Sequence, residues 1–223
     1  MTAEQLSIDL GQTGQVSALL VRPQAARACY VLAHGAGAGM SHRFMAEVAS
    51  GLADRDIATL RYQFPYMEKG SKRPDAPAVA HAAVRAAVAE AARRCADLPL
   101  LAGGKSFGGR MTSQAQAIKP LPGVRGLIFL GFPLHPAGKP ATERAAHLGK
   151  ILIPMLFVQG TQDKLAETAL IRPAVAALGS ASLHEVAAAD HAFHVPARSG
   201  RTDREVMTEI LDAVAAWVRA MAG

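Results

Sequence analysis

The chain carries two cysteines and one tryptophan in 223 residues, and aromatic side chains make up only 5% of it. Two thiols cannot build a disulfide framework, and Cys29 and Cys95 are not spaced as metal ligands. Both read as reduced structural thiols of a cytoplasmic protein. The few aromatics and the lack of an arginine-rich tail exclude the base-stacking platform of a nucleic-acid binder, although the net charge is +6. Basic residues are instead scattered over helical faces, as at Arg85, Arg93, Arg94 and Arg219, with one local run at Lys69, Lys72 and Arg73. That run reads as a solvated loop, or at most as a weak attraction for anionic substrates. No apolar stretch approaches the roughly 18 residues of a membrane helix, and Met1 to Ser7 holds an acid but no apolar leader core. Neither membrane insertion nor export is expected.

What is present is a hydrophobic content of 50% with 19% charge, without repeats, low-complexity tracts or linkers. A chain of this length buries roughly 70% of its unfolded surface, enough for a single domain over residues 1–223. Residues 6–10 and 16–22 predict a hairpin across Gly11 to Gly14. Strands follow at 30–33, 57–62, 100–102 and 124–130, in a segment from Ile151 up to Asp163, and at 182–186. Helical spacing predicts helices near 41–54, 76–96, from the turn after Lys105 to 118, 165–178 and 201–222. Repeated strand and helix units of this kind predict an α/β fold, with a mostly parallel central sheet covered by helices on both faces.

The chemistry-bearing motif is Gly104-Lys105-Ser106-Phe107-Gly108, a G-x-S-x-G pentapeptide that follows an apolar strand and precedes a helix. A serine on so tight a strand-to-helix turn exposes its hydroxyl, and the positions two before and two after must lack side chains. The new helix aims its N-terminal N–H groups at the same point. A phosphate loop is the rival reading of Gly104-Lys105-Ser106. It fails because Pro99 stands where the loop's first glycine is needed and Leu100 to Ala102 is strand.

A serine nucleophile needs a base and an orienting acid, which in this architecture follow it in the order acid, then histidine. Of the later aspartates, Asp163 closes a buried-type strand at its C-terminal edge, where ligands gather in open α/β sheets. Asp203 and Asp212 read as helix-surface groups, and Asp190 adjoins the preferred base, where neighbouring side chains diverge. Five histidines follow the serine: His135, His147, His184, His191 and His194. His184 sits in a strand. His191 lies in the loop between the last strand and the last helix and is the preferred base, with His194 as the alternative. For the oxyanion, the strand Cys29 to Ala33 delivers His34-Gly35-Ala36-Gly37-Ala38-Gly39, and the expected donors are the N–H groups of Ala36 and Phe107. His34 is expected to brace this loop, with Gly35, Gly104 and Gly108 supporting the turn. A dinucleotide loop is excluded because Met40 occupies the third glycine position.

Six stretches carry a resemblance over essentially the whole chain: 33–38, 61–66, 104–110, 131–136, 159–163 and 190–193. Together they resemble the α/β-hydrolase superfamily, and more narrowly the small bacterial hydrolases of the dienelactone-hydrolase-like type, a group with eukaryotic relatives that act within larger assemblies. The resemblance implies an α/β-hydrolase fold, a Ser106, Asp163, His191 triad and a hydrolase, and little about its substrate. From the residues themselves, the expected activity is that of a carboxylic ester hydrolase on a small-molecule acyl substrate, with no cofactor and no metal, and with a second copy of the chain as the one protein partner left open. Only residues 64–77 and 132–150 are long enough to cover the site. A minimal lid or none is therefore expected, which suits small or short-chain esters or thioesters. The alternatives are a lactone hydrolase of the dienelactone type, whose dedicated members carry cysteine where Ser106 stands, and a non-catalytic scaffold that retains the fold.

Overall fold

The computed structural model describes residues 2–222. The strands are β1 (Glu4–Asp9), β2 (Gln15–Val21), β3 (Ala28–Ala33), β4 (Ile57–Tyr62), β5 (Leu100–Lys105), β6 (Val124–Leu130), β7 (Met155–Gly160) and β8 (Ala181–Val186). The helices are α1 (Arg43–Ala53), α2 (Pro65–Glu68), α3 (Pro77–Arg94), α4 (Phe107–Ile118), α5 (Thr168–Ala176) and α6 (Asp203–Ala222). One sheet of eight strands runs in the order β1-β2-β4-β3-β5-β6-β7-β8. The β1–β2 and β2–β4 pairs are antiparallel and all others parallel, so the expected α/β architecture holds.

Every residue of β3 and β4 is buried, as a parallel strand covered on both faces must be. Alternate residues of β3 serve opposite cores. Cys29, Val31 and Ala33 join the core under α3, α4 and α5, whereas Ala28, Tyr30 and Leu32 join the one under α1 and α6. The alanines of α3 (Ala80, Ala83, Ala87, Ala91) are fully buried and let that helix lie close to the sheet.

Three boundaries depart from the sequence reading. Strand β7 begins at Met155, because Pro154 has no N–H for the ladder and offers only its carbonyl to Leu127. Helix α5 begins at Thr168, because the Leu165 N–H is taken by the Asp163 carboxylate in a preceding turn. The loop after β4 contains α2, with Pro65 preset at its first helical position. No helix among the described residues is long and apolar enough to cross a membrane, and residues 63–76 and 131–154, which follow β4 and β6, carry only the four-residue α2 and two three-residue 3-10 turns.

Candidate active site

The site grows out of the end of β5. Gly103 (φ 146°) and Gly104 (φ 148°) lead into Ser106, which is held at φ 49°, ψ −113°, a conformation a side-chain-bearing residue occupies only when its surroundings enforce it. The enforcement is steric. A Cβ at Gly104 would lie 2.2 Å from the Ala33 carbonyl oxygen, and one at Gly108 would lie 2.6 Å from that of His34. The turn is thus wedged against β3, and α4 starts directly at Phe107.

The Ser106 Oγ lies 2.8 Å from His191 Nε2, and His191 Nδ1 lies 2.6 Å from Asp163 Oδ2. For all contacts to form, Nδ1–H donates to the carboxylate and Nε2 accepts the serine O–H. Asp163 is 2% exposed, and its other oxygen accepts the Leu165 N–H at 2.8 Å. The structure therefore brings Ser106, Asp163 and His191 into one hydrogen-bonded line.

The remaining histidines are engaged elsewhere. His135 is buried against Glu167, His184 pairs with Glu209, and His194 binds Asp203. His147 bonds Ser113 at 2.7 Å and is pushed down to about 4 by burial and by nearby Arg110, His81 and Lys150. Asp190 builds the loop rather than partnering a base: its Oδ1 accepts the N–H groups of Ala192 and His194 at 2.8 and 2.9 Å.

The loop after β3 turns at Gly37 (φ 74°), with the Ala38 N–H on the Gly35 carbonyl and the Gly37 N–H on the Tyr66 hydroxyl. Among the described residues, the N–H groups of Ala36 and Phe107 have no acceptor. His34 is fully buried, donates from Nδ1 to the Gly35 carbonyl and accepts the Phe64 N–H at Nε2, and burial lowers its pKa. With both nitrogens engaged it braces the loop and has no free site for proton transfer.

Two contributors escaped the sequence reading. Gln159 is buried in β7, donates to Asp163 Oδ2 at 2.5 Å and accepts the Phe132 N–H at 2.9 Å. The available signal was a lone amide in an otherwise apolar strand. Lys105 donates from Nζ to the His191 carbonyl at 2.5 Å, and burial pushes its pKa down to about 8 against the opposing pull of Asp163 and Asp190.

A cavity of about 350 Å³ opens over Ser106, with walls from Ala36, Phe44, Met45 and Leu165. A larger cleft, about 500 Å³, lies at the opposite, N-terminal end of the strands beside Ala28, Ile57 and Leu101. Its size does not make it the reaction site, since it holds none of the hydrogen-bonded line and open α/β sheets gather reactive groups at the other end.

Residues 26–219 match a family described as an alpha/beta hydrolase domain. The fold is similar to that of an alpha-beta serine hydrolase homologue from Coxiella burnetii, at 22% identity and a TM-score of 0.76, over 96% of this chain and 98% of that one. It is also similar to a dienelactone hydrolase from Anabaena variabilis, at 18% identity and a TM-score of 0.76 over 99% of both chains. A serine hydrolase without lid from Xanthomonas campestris matches at 18% identity and a TM-score of 0.74, over 97% of this chain and 95% of that one.

Proposed function

The chain belongs to the alpha/beta hydrolase domain family, and from that premise we propose that it is a serine hydrolase that cleaves small or short-chain carboxylic esters or thioesters through an acyl-enzyme. The observation that carries the reading is the unbroken hydrogen-bonded line from Ser106 through His191 to a buried Asp163, at the C-terminal edge of a parallel sheet.

In this mechanism His191 Nε2 takes the Ser106 proton as Oγ attacks the acyl carbon. The C–O double bond opens to an oxyanion held by the Ala36 and Phe107 N–H groups. His191 returns the proton to the leaving alcohol or thiol, and a water activated by the same imidazole then releases the acid. Asp163 keeps the proton on Nδ1 and stabilises the imidazolium. The open cavity, walled by Phe44, Met45 and Leu165, favours a compact apolar acyl group.

The test is intact-protein mass after a fluorophosphonate probe, with Ser106→Ala beside the wild type, followed by ester, thioester and lactone panels of graded acyl length. One adduct on the wild type and none on the variant, with turnover greatest at short acyl chains, is expected. No adduct on folded wild type refutes an activated serine, and best turnover of long chains refutes the small-acyl assignment.

A further inference from the structure

The mechanism leaves one half-buried charge unused. Lys105 occupies the variable position before Ser106, and its stem runs beside Gly35 while its ammonium reaches past the end of β6 to the loop that carries His191. The pocket for it is built from several elements. Gly131 supplies space, since a Cβ there would lie 2.8 Å from Nζ. The Phe44 and Phe193 rings, stacked 5.9 Å apart, approach Nζ at 5.8 and 5.0 Å. Phe193 itself is turned to φ 65° to take this place.

A partly desolvated ammonium is costly, and a methionine would fill the same stem volume without that cost. The one full hydrogen bond obtained in return is to the main chain of His191, not to a carboxylate. We propose that Lys105 is a positioning residue, whose ammonium pins the His191 carbonyl to the strand bearing Ser106 and so fixes the imidazole over the serine oxygen. This rests on the serine-hydrolase reading of the site. The aromatic faces hold the cation against that carbonyl, and the elbow and base loop become one rigid unit.

The charged and titratable groups facing Lys105 are Asp163 from the end of β7, Asp190 and His191 from the base loop, and His42, with which it shares the cavity wall at the start of α1. Both carboxylates favour the ammonium and burial opposes it. On deprotonation the charge-assisted bond to the carbonyl becomes a weaker neutral one. The positioning therefore weakens at alkaline pH.

The experiment compares wild type, Lys105→Met and Lys105→Arg. It reads kcat and KM for p-nitrophenyl acetate from pH 6 to 10 and, without substrate, the low-field proton resonance of His191 Nδ1–H and amide exchange over residues 190–194. For Lys105→Met the expected result is kcat lowered roughly 10- to 100-fold with KM within about threefold, as for a misplaced catalytic group. Its 190–194 amides should exchange faster, and it should lack the alkaline limb expected of the wild type as Lys105, its pKa pushed down to about 8, loses its proton. Lys105→Arg should restore most of kcat and move the limb upward. A folded Lys105→Met with wild-type kcat, pH profile and loop exchange overturns the proposal. So does a wild-type Nδ1–H resonance indifferent to pH across 7 to 9.5, a readout that needs no variant. If the wild type neither turns over ester nor takes the probe, yet Lys105→Met loosens the loop, the hydrolase reading fails and the pinning stands.

Discussion

Gln159→Leu isolates a residue that touches no substrate and yet holds the acid in place. The leucine fills similar volume in β7, so the change removes polar contacts rather than creating a large void. Asp163 Oδ2 loses a donor at 2.5 Å, and the Phe132 N–H, in a segment whose side chain is fully buried, loses its acceptor at 2.9 Å. A hydrogen bond to a charged group contributes about 1.5 to 3 kcal/mol, and an orphaned buried N–H costs about 1 to 3. The two together predict a loss of about 3 to 5 kcal/mol. For a domain of this size each kcal/mol moves Tm by about 2 to 4 °C, so calorimetry should register a fall of about 10 °C. Activity below the transition should drop less steeply than for Asp163→Asn, because the Leu165 N–H still holds the other carboxylate oxygen. A Gln159→Leu protein that melts within about 1 °C of wild type refutes the reasoning. It would mean that Asp163 and Phe132 find other partners.

Three further outcomes follow from the geometry. Ser106→Ala or His191→Ala should lower kcat by roughly 10⁴ to 10⁶ and Asp163→Asn by about 10⁴, whereas His194→Ala should leave kcat within about twofold, since His194 is engaged with Asp203; steady-state ester hydrolysis checks the set. Gly104→Ala should leave little folded protein by circular dichroism, because the new Cβ meets the Ala33 carbonyl at 2.2 Å, backbone against backbone. Lys105 should make stability and activity diverge with pH. Its pKa is about 8 when folded and near 10.5 when free, so the unfolded chain binds more protons between those values. Stability from this group therefore rises over pH 8 to 10.5, by about 3 kcal/mol in denaturant titrations, and the rise is absent in Lys105→Met.

The fold was legible because β3 to β7 are apolar runs too short for helices, and the helices between them repeat at 3.6-residue spacing. The elbow was legible because its steric demands leave glycine as the only solution at 104 and 108, where β3 backbone lies within contact. Choosing His191 over His194 rested on loop position and on the family resemblance of residues 190–193. What separates them is the Asp190 carboxylate capping the loop and Phe193 turning left-handed, neither of which is written in residue spacing. Gln159 and Lys105 were missed for a related reason. Periodicity tells which face of a sheet a side chain occupies, but not which main-chain group on another strand it will reach. Helix α2 was hidden in a proline-bearing loop whose Pro65 initiates a turn of helix as readily as it breaks one.

Two connections beside the site that contribute no member of the hydrogen-bonded line, residues 63–76 and 131–154, are held at their roots and at a few side chains such as Glu68, His135 and His147. Phe64 is tied by His34 and Phe132 by Gln159, while long stretches beyond, such as 68–74 and 136–140, are exposed. Such a layout separates what inheritance must preserve from what it can vary. Insertions or exchanges in the middle of either connection would reshape the approach to Ser106 without disturbing the sheet that aims it. New substrate ranges are thus reachable by small steps, and these two segments are where a library for altered selectivity should be placed.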